Sequence, residues 1–524
     1  MDTTVTNSGA LDINTGTTIA SGTTNTADGV LKIDNGATLS SGLTNAGTTN
    51  LAGQVTGNVS NSGTLNVTDN AATIDGDFAS GNELNIDGAG SNLNVTGNAA
   101  LGGNFTFDAA LSGGATVVGN TTVGGNLGGN VALTLDDSSG AGDFDNALLF
   151  SYTGTNTLTF SSFNNLPDQG ALEYFIEDSG STLLLRSRIN TGVTSIAATV
   201  GLTQTLVNTI VNRPTSPFVA DLATGADENP CGTGLWTRFT GGTANGTGNF
   251  TDNSTNQVGS SPVGLNYSGL QFGGDFACFG GHYNGWDLAF GGIAGFNDAN
   301  SSTAALGTTI DTDIFQRYAG VYVTAARGRF FADLQYRYES TDYETTPRGS
   351  SLLSSADYDN TGQTLSGAVG FSWPLAEESG VTFVSSAGFQ YSRNETDDVD
   401  LGAAGLLTFD DNFSRVGFLS ASLAKSKILP DEESLISYFG TATVYNDFAD
   451  DRDAQFTTGG TVRDLSLENL GAYGEVSLGV NYLKLLSPGD AGNARQLNAS
   501  LRVDARFSGE VESYGITGQF RLQF

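Results

Sequence analysis

The chain has 524 residues, and its 55 Asp and Glu against 21 Lys and Arg give a formal net charge of −34. So acidic a surface repels nucleic-acid phosphates, which excludes nucleic-acid binding. One His and two Cys leave no cluster of ligands for zinc or iron, and we expect no cofactor and no metal site. This length predicts more than one domain.

The amino terminus lacks the basic segment and apolar core of a signal peptide. Because repeats begin soon after Met1, we interpret the sequence as a fragment of an exported protein. No run of about 18 apolar residues occurs, which excludes a transmembrane helix. It leaves a membrane β-barrel open, because barrel strands carry a much weaker signal.

Residues 1–130 are rich in Gly, Thr, Asn and Ser, with short apolar pairs that recur. Leu11-Asp12-Ile13, Leu31-Lys32-Ile33 and Leu51 lie at a spacing of 20. A period near 20 with one strand pair per repeat predicts a parallel β-helix-like solenoid, in which stacking buries what one repeat cannot. The alternative is a disordered tail of the same composition.

Residues 131–190 contain more apolar residues than the repeats before them. They include Leu148-Leu149-Phe150, the segment 172–176 and Leu183-Leu184-Leu185. An open solenoid end requires a cap. We therefore interpret this segment as the strongly packed, carboxyl-terminal folding and cap segment of the solenoid.

The strongest helical pattern covers residues 194–213, within a linker at 191–230. Thr194 or Ser195 can cap the start, and Pro214 ends it. A helix of about 19 residues is roughly 28 Å long, close to a bilayer core, and this one is polar enough for a wet pore. We predict a pore helix, with a linker helix between domains as the alternative. The residues assigned to this pore helix are Ile196, Val200, Gln204 and Asn208.

From residue 231 to residue 524, polar and apolar residues alternate with period two. In the segment 497–507 every odd position is apolar, and Arg and Asp share the even positions with Asn and Ser. This pattern predicts a membrane β-barrel whose polar face lines a water-filled lumen. A soluble β-sandwich, which also alternates, is the alternative. The residues predicted to face the lumen are Arg238, Asp333, Arg337, Arg502, Asp504, Arg506 and Arg521.

We predict about twelve strands, the first at 233–242, the tenth at 465–484 and the last at 511–524. Long polar segments at 243–264, 298–311 and 344–357 alternate with short connections, as outer loops and inner turns do in such barrels. This assignment places the carboxyl terminus at the inner, periplasmic rim. The predicted fold class is all-β: a parallel β-helix-like solenoid, a pore-spanning α-helix and a C-terminal 12-stranded antiparallel transmembrane β-barrel.

The two cysteines lie at the ends of neighbouring predicted strands. Cys231 begins the first strand and Cys278 ends the second, so both fall at the inner rim. Both have the parity of the lipid-side residues, and adjacent antiparallel strands bring residues of one face within disulfide reach. We predict a disulfide, with two unpaired thiols as the alternative.

The order of these segments resembles the autotransporter family of Gram-negative outer membranes. The segment 234–242, Gly-Leu-Trp-Thr-Arg-Phe-Thr-Gly-Gly, is similar to the first barrel strand of that family, and the ending 518–524 resembles its terminal assembly signal. The resemblance implies that Phe520, Leu522 and Phe524 are read by the barrel assembly machinery. It also implies that the repeats are a secreted passenger and that 231–524 is the barrel.

The same resemblance implies a mechanism and a location. In the family, the passenger crosses the outer membrane through the assembling barrel and folds outside from its carboxyl-terminal segment, here 131–190, after which the helix plugs the pore. We expect the barrel in the cell outer membrane and the passenger at the cell surface. The expected partners are outer-membrane lipid, the barrel assembly machinery, periplasmic chaperones and an unidentified surface ligand, with the barrel a monomer.

No residue pattern in the sequence predicts catalysis. Ser-His-Asp catalysis requires a His, and the single His282 falls in a predicted turn. We therefore predict that the protein is not an enzyme but an autotransporter with an adhesin-like passenger. The alternative is a porin-like outer-membrane channel with an accessory amino-terminal segment.

Overall fold

The computed structural model describes residues 4–112, 115–136, 144, 146–166, 171–204, 231–254, 256–305, 308–349, 353–376, 380–431, 433–458, 461–486 and 495–524. The chain divides into two compact units. The first, which we call the solenoid unit, comprises Met1–Ile189 and Thr458–Thr461. The second, the barrel unit, comprises Asn190–Thr457 and Val462–Phe524.

The solenoid unit is built from short strands that stack mainly in parallel, three to a turn of the coil. Gly- and Asn-rich turns separate them, because these residues accept the tight corners between strands. The strands are β1 (Val5–Asn7), β2 (Ala10–Ile13), β3 (Thr18–Ile19), β4 (Thr23–Asn25), β5 (Val30–Ile33), β6 (Thr38–Leu39), β7 (Leu43–Asn45), β8 (Thr48–Leu51), β9 (Gln54–Thr56), β10 (Val59–Asn61), β11 (Thr64–Val67), β12 (Thr73–Asp75), β13 (Phe78–Ser80), β14 (Glu83–Ile86), β15 (Asn92–Val95), β16 (Ala99–Phe107), β17 (Ala109–Ser112), β18 (Ala115–Val118), β19 (Asn120–Val123), β20 (Leu127–Leu135), β21 (Ala147–Tyr152), β22 (Asn156–Asn164), β23 (Leu172–Asp178) and β24 (Thr182–Ile189).

Three faces surround the solenoid core. Face A contains β1, β4, β7, β10 and β13, face B contains β2, β5, β8, β11 and β14, and face C contains β3, β6, β9, β12, β15 and β19. Side chains alternate along each strand, so that Leu31 and Ile33 point inward and are fully buried. Stacking aligns equivalent residues, and the apolar core is continuous from Ile13 to Leu135 and beyond. The predicted parallel solenoid is therefore confirmed.

The predicted fixed period near 20 describes the first pair of turns but not the pairs that follow. Leu11 pairs with Leu31 as predicted, but Leu31 pairs with Thr49, so that Leu51 stacks on Ile33. Backbone pairing and core packing determine which residues stack, whereas the turns project into solvent and tolerate changes of length. The number of residues per turn of the coil therefore varies while the strands stay aligned.

A buried column of Asn side chains runs along face A. Asn7 Nδ2 donates to Asn25 Oδ1 at 2.8 Å, and Asn25 Nδ2 donates to Asn45 Oδ1 at 2.8 Å. Asn45 Nδ2 donates to Asn61 Oδ1 at 2.7 Å, and Asn61 Nδ2 donates to Ser80 Oγ at 3.0 Å. Because each carboxamide both donates and accepts, the column satisfies buried polar groups and ties successive turns together.

The solenoid ends in strands that pair in the opposite sense. β24 runs antiparallel to both β21 and β23. Aromatic rings fill the core at this end: the centroids of Phe105 and Phe150 are 4.7 Å apart, and those of Phe144 and Tyr174 are 6.1 Å apart. The antiparallel hairpin thus replaces a further parallel turn, and the capping role expected for residues 131–190 stays a prediction.

Twelve antiparallel strands close into the barrel, because the first, β25, pairs with the last, β40, from Gly234–Gln523 to Gly246–Val511. The predicted 12-stranded barrel is confirmed. Four further short strands, β32, β33, β36 and β37, lie in connections, as does a 3-10 helix at Gly402–Ala404. The strands are β25 (Cys231–Asp252), β26 (Gln257–Tyr283), β27 (Trp286–Ala305), β28 (Thr308–Arg327), β29 (Phe330–Gly349), β30 (Ala356–Ala376), β31 (Val381–Thr396), β32 (Val399–Asp400), β33 (Leu406–Phe409), β34 (Asn412–Ile428), β35 (Ser434–Asp447), β36 (Arg452–Thr458), β37 (Thr461–Leu467), β38 (Ala472–Leu486), β39 (Arg495–Phe507) and β40 (Val511–Gln523).

The strands are longer than predicted. The segments 243–264, 298–311 and 344–357, predicted as loops, belong mostly to strands. On these extensions the outward residues are mostly polar, as with Arg348 and Asp311, whose side chains lie 2.7 Å apart. Hydrophobic alternation therefore ends where the lipid-facing band ends, although backbone pairing continues beyond it.

The predicted strand at 465–484 is divided in the structure. Its first residues belong to β37, and the barrel strand β38 begins only at Ala472. A tight turn separates the two: Gly471 has a φ of 54°, and its N–H donates to Asn469 Oδ1 at 2.8 Å. Gly accepts this left-handed conformation without strain.

Along each barrel strand, apolar side chains face outward and charged side chains face the lumen, which is the reverse of the arrangement in a soluble protein. On β39, Leu501 and Val503 are exposed, whereas Asp504 and Arg506 are buried inside. The outer surface is therefore an apolar belt that suits lipid, and the charged residues line the lumen.

The described residues contain one α-helix, α1 (Thr191–Leu202), which lies in the barrel unit. Asn190 caps it, since its Oδ1 accepts from the Gly192 N–H at 2.7 Å. The predicted start at residue 194 is wrong, because Asn190 offers a cap acceptor before it. The predicted continuation from 205 to 213 lies outside the described residues.

Candidate functional site

The barrel wall encloses α1 along its length. Residues from Gly192 to Leu202 are all buried, so this part of the helix has no face toward solvent. Of the residues assigned to the pore helix, Ile196, Val200 and Gln204 are buried in the lumen. Asn208 lies outside the described residues.

Hydroxyl groups join the helix to the wall. Thr194 Oγ1 lies 2.8 Å from Ser261 Oγ on β26, within hydrogen-bonding distance. Thr199 Oγ1 lies 3.4 Å from Ser301 Oγ on β27. Because both strands are parts of the rigid wall, these contacts hold the helix at a defined height in the lumen.

Two wall glycines allow the helix to approach closely. A Cβ at Gly248 would lie 2.4 Å from the Cβ of Ala198, and a Cβ at Gly246 would lie 2.9 Å from Leu202 Cδ1. Both distances are too short for real carbon contacts. The glycines therefore form the surface against which the second half of α1 packs.

The end of the described helix is held by strands next to the outer loops. Gln204 Nε2 donates to Thr396 Oγ1 at 3.3 Å, and Gln204 Oε1 accepts from Asn412 Nδ2 at 2.6 Å. On the other side, a Cβ at Gly201 would lie 2.3 Å from Arg452 Nη1. The guanidinium of a loop strand therefore packs directly against the helix backbone.

Beyond the helix, the lumen contains a network that crosses the closure of the ring. Arg521 on β40 donates to Asp275 Oδ1 on β26 at 2.5 Å. Tyr322 Oη donates to the other oxygen of Asp275 at 2.5 Å, and Trp236 Nε1 donates to Tyr322 Oη at 2.8 Å. The first, second, fourth and last barrel strands are thus joined by buried polar contacts.

A second network surrounds Glu475 on β38. Its Oε2 accepts from Arg506 Nε at 2.7 Å, its Oε1 accepts from Arg502, and Arg502 also lies 3.8 Å from Asp504. The sequence predicted that these Arg and Asp residues face the lumen. It did not identify Glu475, although its inward parity on an alternating strand is the signal that could have done so.

The other residues predicted to face the lumen also lie there. Arg238 Nη2 donates to Gln519 Oε1 at 2.8 Å, and Arg337 Nη2 donates to Glu339 Oε2 at 2.6 Å. Asp333 is half-buried and lines a cavity of about 250 Å³. The lumen is therefore lined by charged groups that are mostly paired within the wall.

Cys231 and Phe524 lie at the same rim of the barrel, which the sequence assigns to the inner side. Cys231 and Cys278 face each other in register across β25 and β26 and form a disulfide. Phe520, Leu522 and Phe524, the residues assigned to the assembly signal, share the outward parity of β40, and Phe520 is half-exposed.

Four short strands form a sheet at the opposite, outer rim. β37 pairs with the outer end of β25, and β36, β33 and β32 follow in order. Arg463 Nη1 donates to Asp252 Oδ2 at 2.8 Å, and both side chains are buried. At the far edge, Ser354 N, just before β30, donates to Leu401 O at 3.2 Å. The sheet therefore extends from the first to the sixth barrel strand, across the outer opening.

This arrangement is that of a closed ring whose lumen is occupied by a helix. Among the residues that the structure describes, no group of three or more His, Cys, Asp or Glu is placed to hold a metal ion. In the same part of the chain, no helix has both the length and the apolar character needed to cross a membrane.

Residues 235–484 match the family model of the autotransporter β-domain. No curated protein matches the chain. Among solved structures, the chain is similar to the β-domain of the Bordetella autotransporter BrkA, with 14% identity, 55% of this chain and 98% of that chain covered, and a TM-score of 0.40. It is also similar to the transport unit of AIDA-I from Escherichia coli, with 16% identity, 64% of this chain and 99% of that chain covered, and a TM-score of 0.44. A third similar structure is the translocator domain of NalP from Neisseria meningitidis, with 14% identity, 63% of this chain and 98% of that chain covered, and a TM-score of 0.39.

The family match and the geometry agree. The matched residues lie within the 12-stranded barrel, whose apolar outer belt suits a membrane and whose lumen holds α1. The solenoid unit precedes the helix in the chain, in the position of the passenger. The barrel is therefore an autotransporter β-domain that lies in the outer membrane, and the solenoid unit is the passenger displayed at the cell surface.

Proposed function

We propose that the passenger is an adhesin-like contact protein, whose binding surface is the outer side of face A. The observation that carries this proposal is a column of small residues at equivalent positions of successive turns. It consists of Thr24, Thr44, Ser60, Ala79 and Ala100, which stand in register. At a strand spacing of about 4.8 Å, such a column is long, flat and repetitive.

A groove of about 960 Å³ follows this column along the solenoid. Its lining consists mainly of Gly, Ser, Thr, Asn and Ala residues, with hydroxyl and amide groups at many points. Such a surface offers many weak polar contacts rather than one deep pocket. It suits an extended ligand or another surface, whose avidity grows with the number of contacts.

The chemistry of the groove favours binding over catalysis. Its one carboxylate, Asp77, is used within the wall, because its Oδ1 accepts from the N–H of Asn98 at 2.8 Å and from its Nδ2 at 3.1 Å. The single His of the chain, His282, is in the barrel. Nucleophile–base pairs of the kind that acyl transfer requires do not occur in the lining.

The proposal is tested with a Gram-negative host that displays the full chain. Adhesion of these cells to immobilised glycoproteins, to epithelial cells and to one another is compared with that of cells displaying Thr44→Arg with Ser60→Arg. We expect this pair to reduce adhesion at least about fivefold, because two long cations block the groove. The matched control is Thr73→Arg with Asn94→Arg on face C. Equal adhesion by both pairs would contradict the proposal.

We also propose that the passenger is secreted by the route that the family resemblance implies. Residues 131–190 fold first outside the cell, the assembly machinery reads Phe520, Leu522 and Phe524, and chaperones hold the chain in the periplasm. The absence of Cys from residues 1–190 supports this route, because no disulfide can trap the passenger in the periplasm. Deletion of 131–190 should abolish protease-resistant display, and unchanged display would contradict the order of folding.

A porin-like channel is the second candidate function. It requires an open lumen, whereas the buried helix fills the outer half of this one. The polar lumen lining is the observation that favours it. Steady high conductance of the full chain in planar bilayers would support this alternative over the plugged autotransporter.

A further inference from the structure

The barrel wall is lower on one side of α1 than on the other. On the near side, β25, β26, β27 and β28 pack against the helix. On the far side, β31 ends at Thr396 and β34 begins at Asn412, and both residues form hydrogen bonds with the side chain of Gln204. Strand pairing in the far wall therefore ends at the height of Gln204.

The helix lies farther out than the end of the far wall. A Cβ at Gly248 would touch Ala198, and a Cβ at Gly246, nearer the inner rim on β25, would touch Leu202. The helix therefore runs inward from its first residue, and α1 lies above the far wall. Since Gly192–Leu202 are all buried, other elements must cover the far side of the helix.

The four short strands β32, β33, β36 and β37, which we call the outer sheet, supply part of this cover. Arg452 begins β36, and its guanidinium packs directly on the helix backbone, because a Cβ at Gly201 would lie 2.3 Å from Arg452 Nη1. The outer sheet thus continues the wall on the side where the far strands have already ended.

The two faces of the outer sheet differ in polarity. On one face, Leu407, Phe456 and Leu465 are buried. On the other face, Gln455 Nε2 donates to Asp464 Oδ1 at 2.9 Å, and both side chains are exposed. A sheet of this kind buries its apolar face against a neighbouring surface, and the surface beneath this one is the outer mouth of the lumen.

The outer sheet is attached to the barrel by short contacts at its two edges. At one edge, β37 pairs with β25 over three residue pairs, whereas β40 pairs with β25 over thirteen. At the other edge, Ser354 N, just before β30, donates to Leu401 O at 3.2 Å. A unit that is held by few backbone pairs opens more readily than the rest of a fold.

A buried ion pair fastens the first of these edges. Arg463 on β37 donates from its Nη1 to Asp252 Oδ2 on β25 at 2.8 Å, and the two side chains are 0% and 1% exposed. Removal of one partner would leave the other charge buried without compensation, which is strongly unfavourable. The ion pair therefore keeps the outer sheet closed on β25.

We propose that the outer sheet is a gate over the lumen, which opens as a unit when Arg463 separates from Asp252 and thereby frees the helix. In the closed state the sheet and the helix stabilise each other, because each covers apolar surface of the other. The open gate leaves a wide mouth, and the closed gate leaves a sealed lumen. This gate belongs to the barrel and is independent of what the passenger binds.

The test measures the open fraction of the full chain in planar bilayers for variants that loosen the gate. Arg463→Gln leaves Asp252 buried without its cation, so that the open fraction should rise at least about tenfold. Phe456→Ala removes apolar contact from the buried face of the sheet and should act in the same direction. The matched control is Arg348→Gln, which removes an exposed guanidinium 2.7 Å from Asp311 on the outer surface of the wall. It should leave the open fraction unchanged.

A cross-link between β25 and β37 locks the gate. Thr251 and Ser466 face each other in the antiparallel pairing, so that Thr251→Cys with Ser466→Cys places two thiols within disulfide reach. These variants also carry Cys231→Ser and Cys278→Ser, so that no other thiol competes, and the absence of free thiols verifies the bond. In the Arg463→Gln chain the cross-link should return the open fraction to that of the chain with the serine replacements alone, whereas Thr251→Cys by itself should not. Retention of heat-modifiable migration on gels verifies that each variant is folded.

Three results would overturn the gate. The first is an open fraction that neither Arg463→Gln nor Phe456→Ala raises. The second is an equal rise in Arg348→Gln, since loss of any outer guanidinium would then explain the effect. The third is that openings persist in the cross-linked Arg463→Gln chain, because the helix would then leave the lumen while the outer sheet stays closed on β25.

Discussion

Asn412 donates a hydrogen bond of 2.6 Å from its Nδ2 to Oε1 of Gln204, and so joins the start of a barrel strand to the end of the pore helix. Gln204 in turn donates from its Nε2 to Oγ1 of Thr396 at 3.3 Å. Thr396 and Asn412 end and begin the strands on either side of one outer connection. Gln204 therefore links both ends of that connection, and the barrel wall holds the end of the helix.

The wall glycine next to the helix provides the first prediction. Gly248→Val places atoms where Ala198 already lies, since even a Cβ would be 2.4 Å from it. Overpacking of this kind costs about 1–3 kcal/mol, so that the open fraction in planar bilayers should rise at least about fivefold. Gly241→Val, whose Cβ would meet nothing nearer than 3.6 Å, is the control. Equal conductance of both variants would contradict the close packing of helix and wall.

The disulfide at the inner rim provides the second prediction. Cys231 and Cys278 close a loop of 47 residues, and such a cross-link contributes up to about 4 kcal/mol by restricting the unfolded chain. Cys231→Ser with Cys278→Ser should lower the temperature at which the barrel loses its heat-modifiable migration. The variant should still assemble, because the two strands remain paired along their length. An unchanged transition temperature would argue against the bond.

The Asn column provides the third prediction. Asn45→Ala removes the acceptor of Asn25 and the donor to Asn61, and it leaves buried polar groups unpaired. We expect a loss of about 2–3 kcal/mol in passenger stability, measured as the urea concentration at which displayed passenger becomes sensitive to protease. Asn66→Ala, in a half-buried column on face B, is the control and should cost about 1 kcal/mol or less. Similar losses of stability in the two variants would contradict the larger contribution of the buried Asn column.

A pH dependence follows from the antiparallel end of the passenger. Hydrogen bonds from Tyr152 and Asn156 hold the pKa of Asp178 below its ordinary value, and the bond to Asp178 raises the pKa of Tyr152 to about 12. The lowered carboxyl pKa contributes stability above about pH 4, which is lost as the pH falls through the folded pKa. The raised phenol pKa contributes stability below about pH 10, which is lost as the pH rises toward 12.

Tyr152→Phe should therefore reduce the loss of passenger stability both at low pH and at high pH. The measurement is protease sensitivity in urea at pH 3, 7 and 11. At pH 7 the variant should be less stable than the unaltered chain, and the difference should shrink at both extremes. Parallel profiles would show that Tyr152 and Asp178 do not interact in solution.

Hydrophobic alternation could predict the barrel and the facing of its charged residues, because parity is a local property of a strand. Leu501 and Arg502 are adjacent in one strand, so their side chains are predicted to lie on opposite faces without any knowledge of the fold. The partner of Arg502 is different: Glu475 lies on the preceding strand, 27 residues away, and only the register brings the two together. The same holds for Asp275 and Arg521, which meet because the ring closes.

The solenoid was predictable because its repeat is visible in the spacing of apolar residues. The exact stacking of residues was not predictable. The stacking of Leu11 on Leu31 is visible as a spacing of 20, but turns of variable length moved Leu51 onto Ile33. The Asn column also left a signal, since Asn7, Asn45 and Asn61 each precede a Gly by two residues. Spacing that varies between turns obscured it.

The helix in the lumen is the feature on which the account depends, and conductance measures it directly. The full chain and a variant lacking residues 191–202 are compared in planar bilayers under identical conditions. The full chain should stay mostly closed, and the deletion should produce large, steady openings. If the full chain conducts as freely as the deletion variant, the helix does not occupy the pore, and the plugged-barrel account is contradicted.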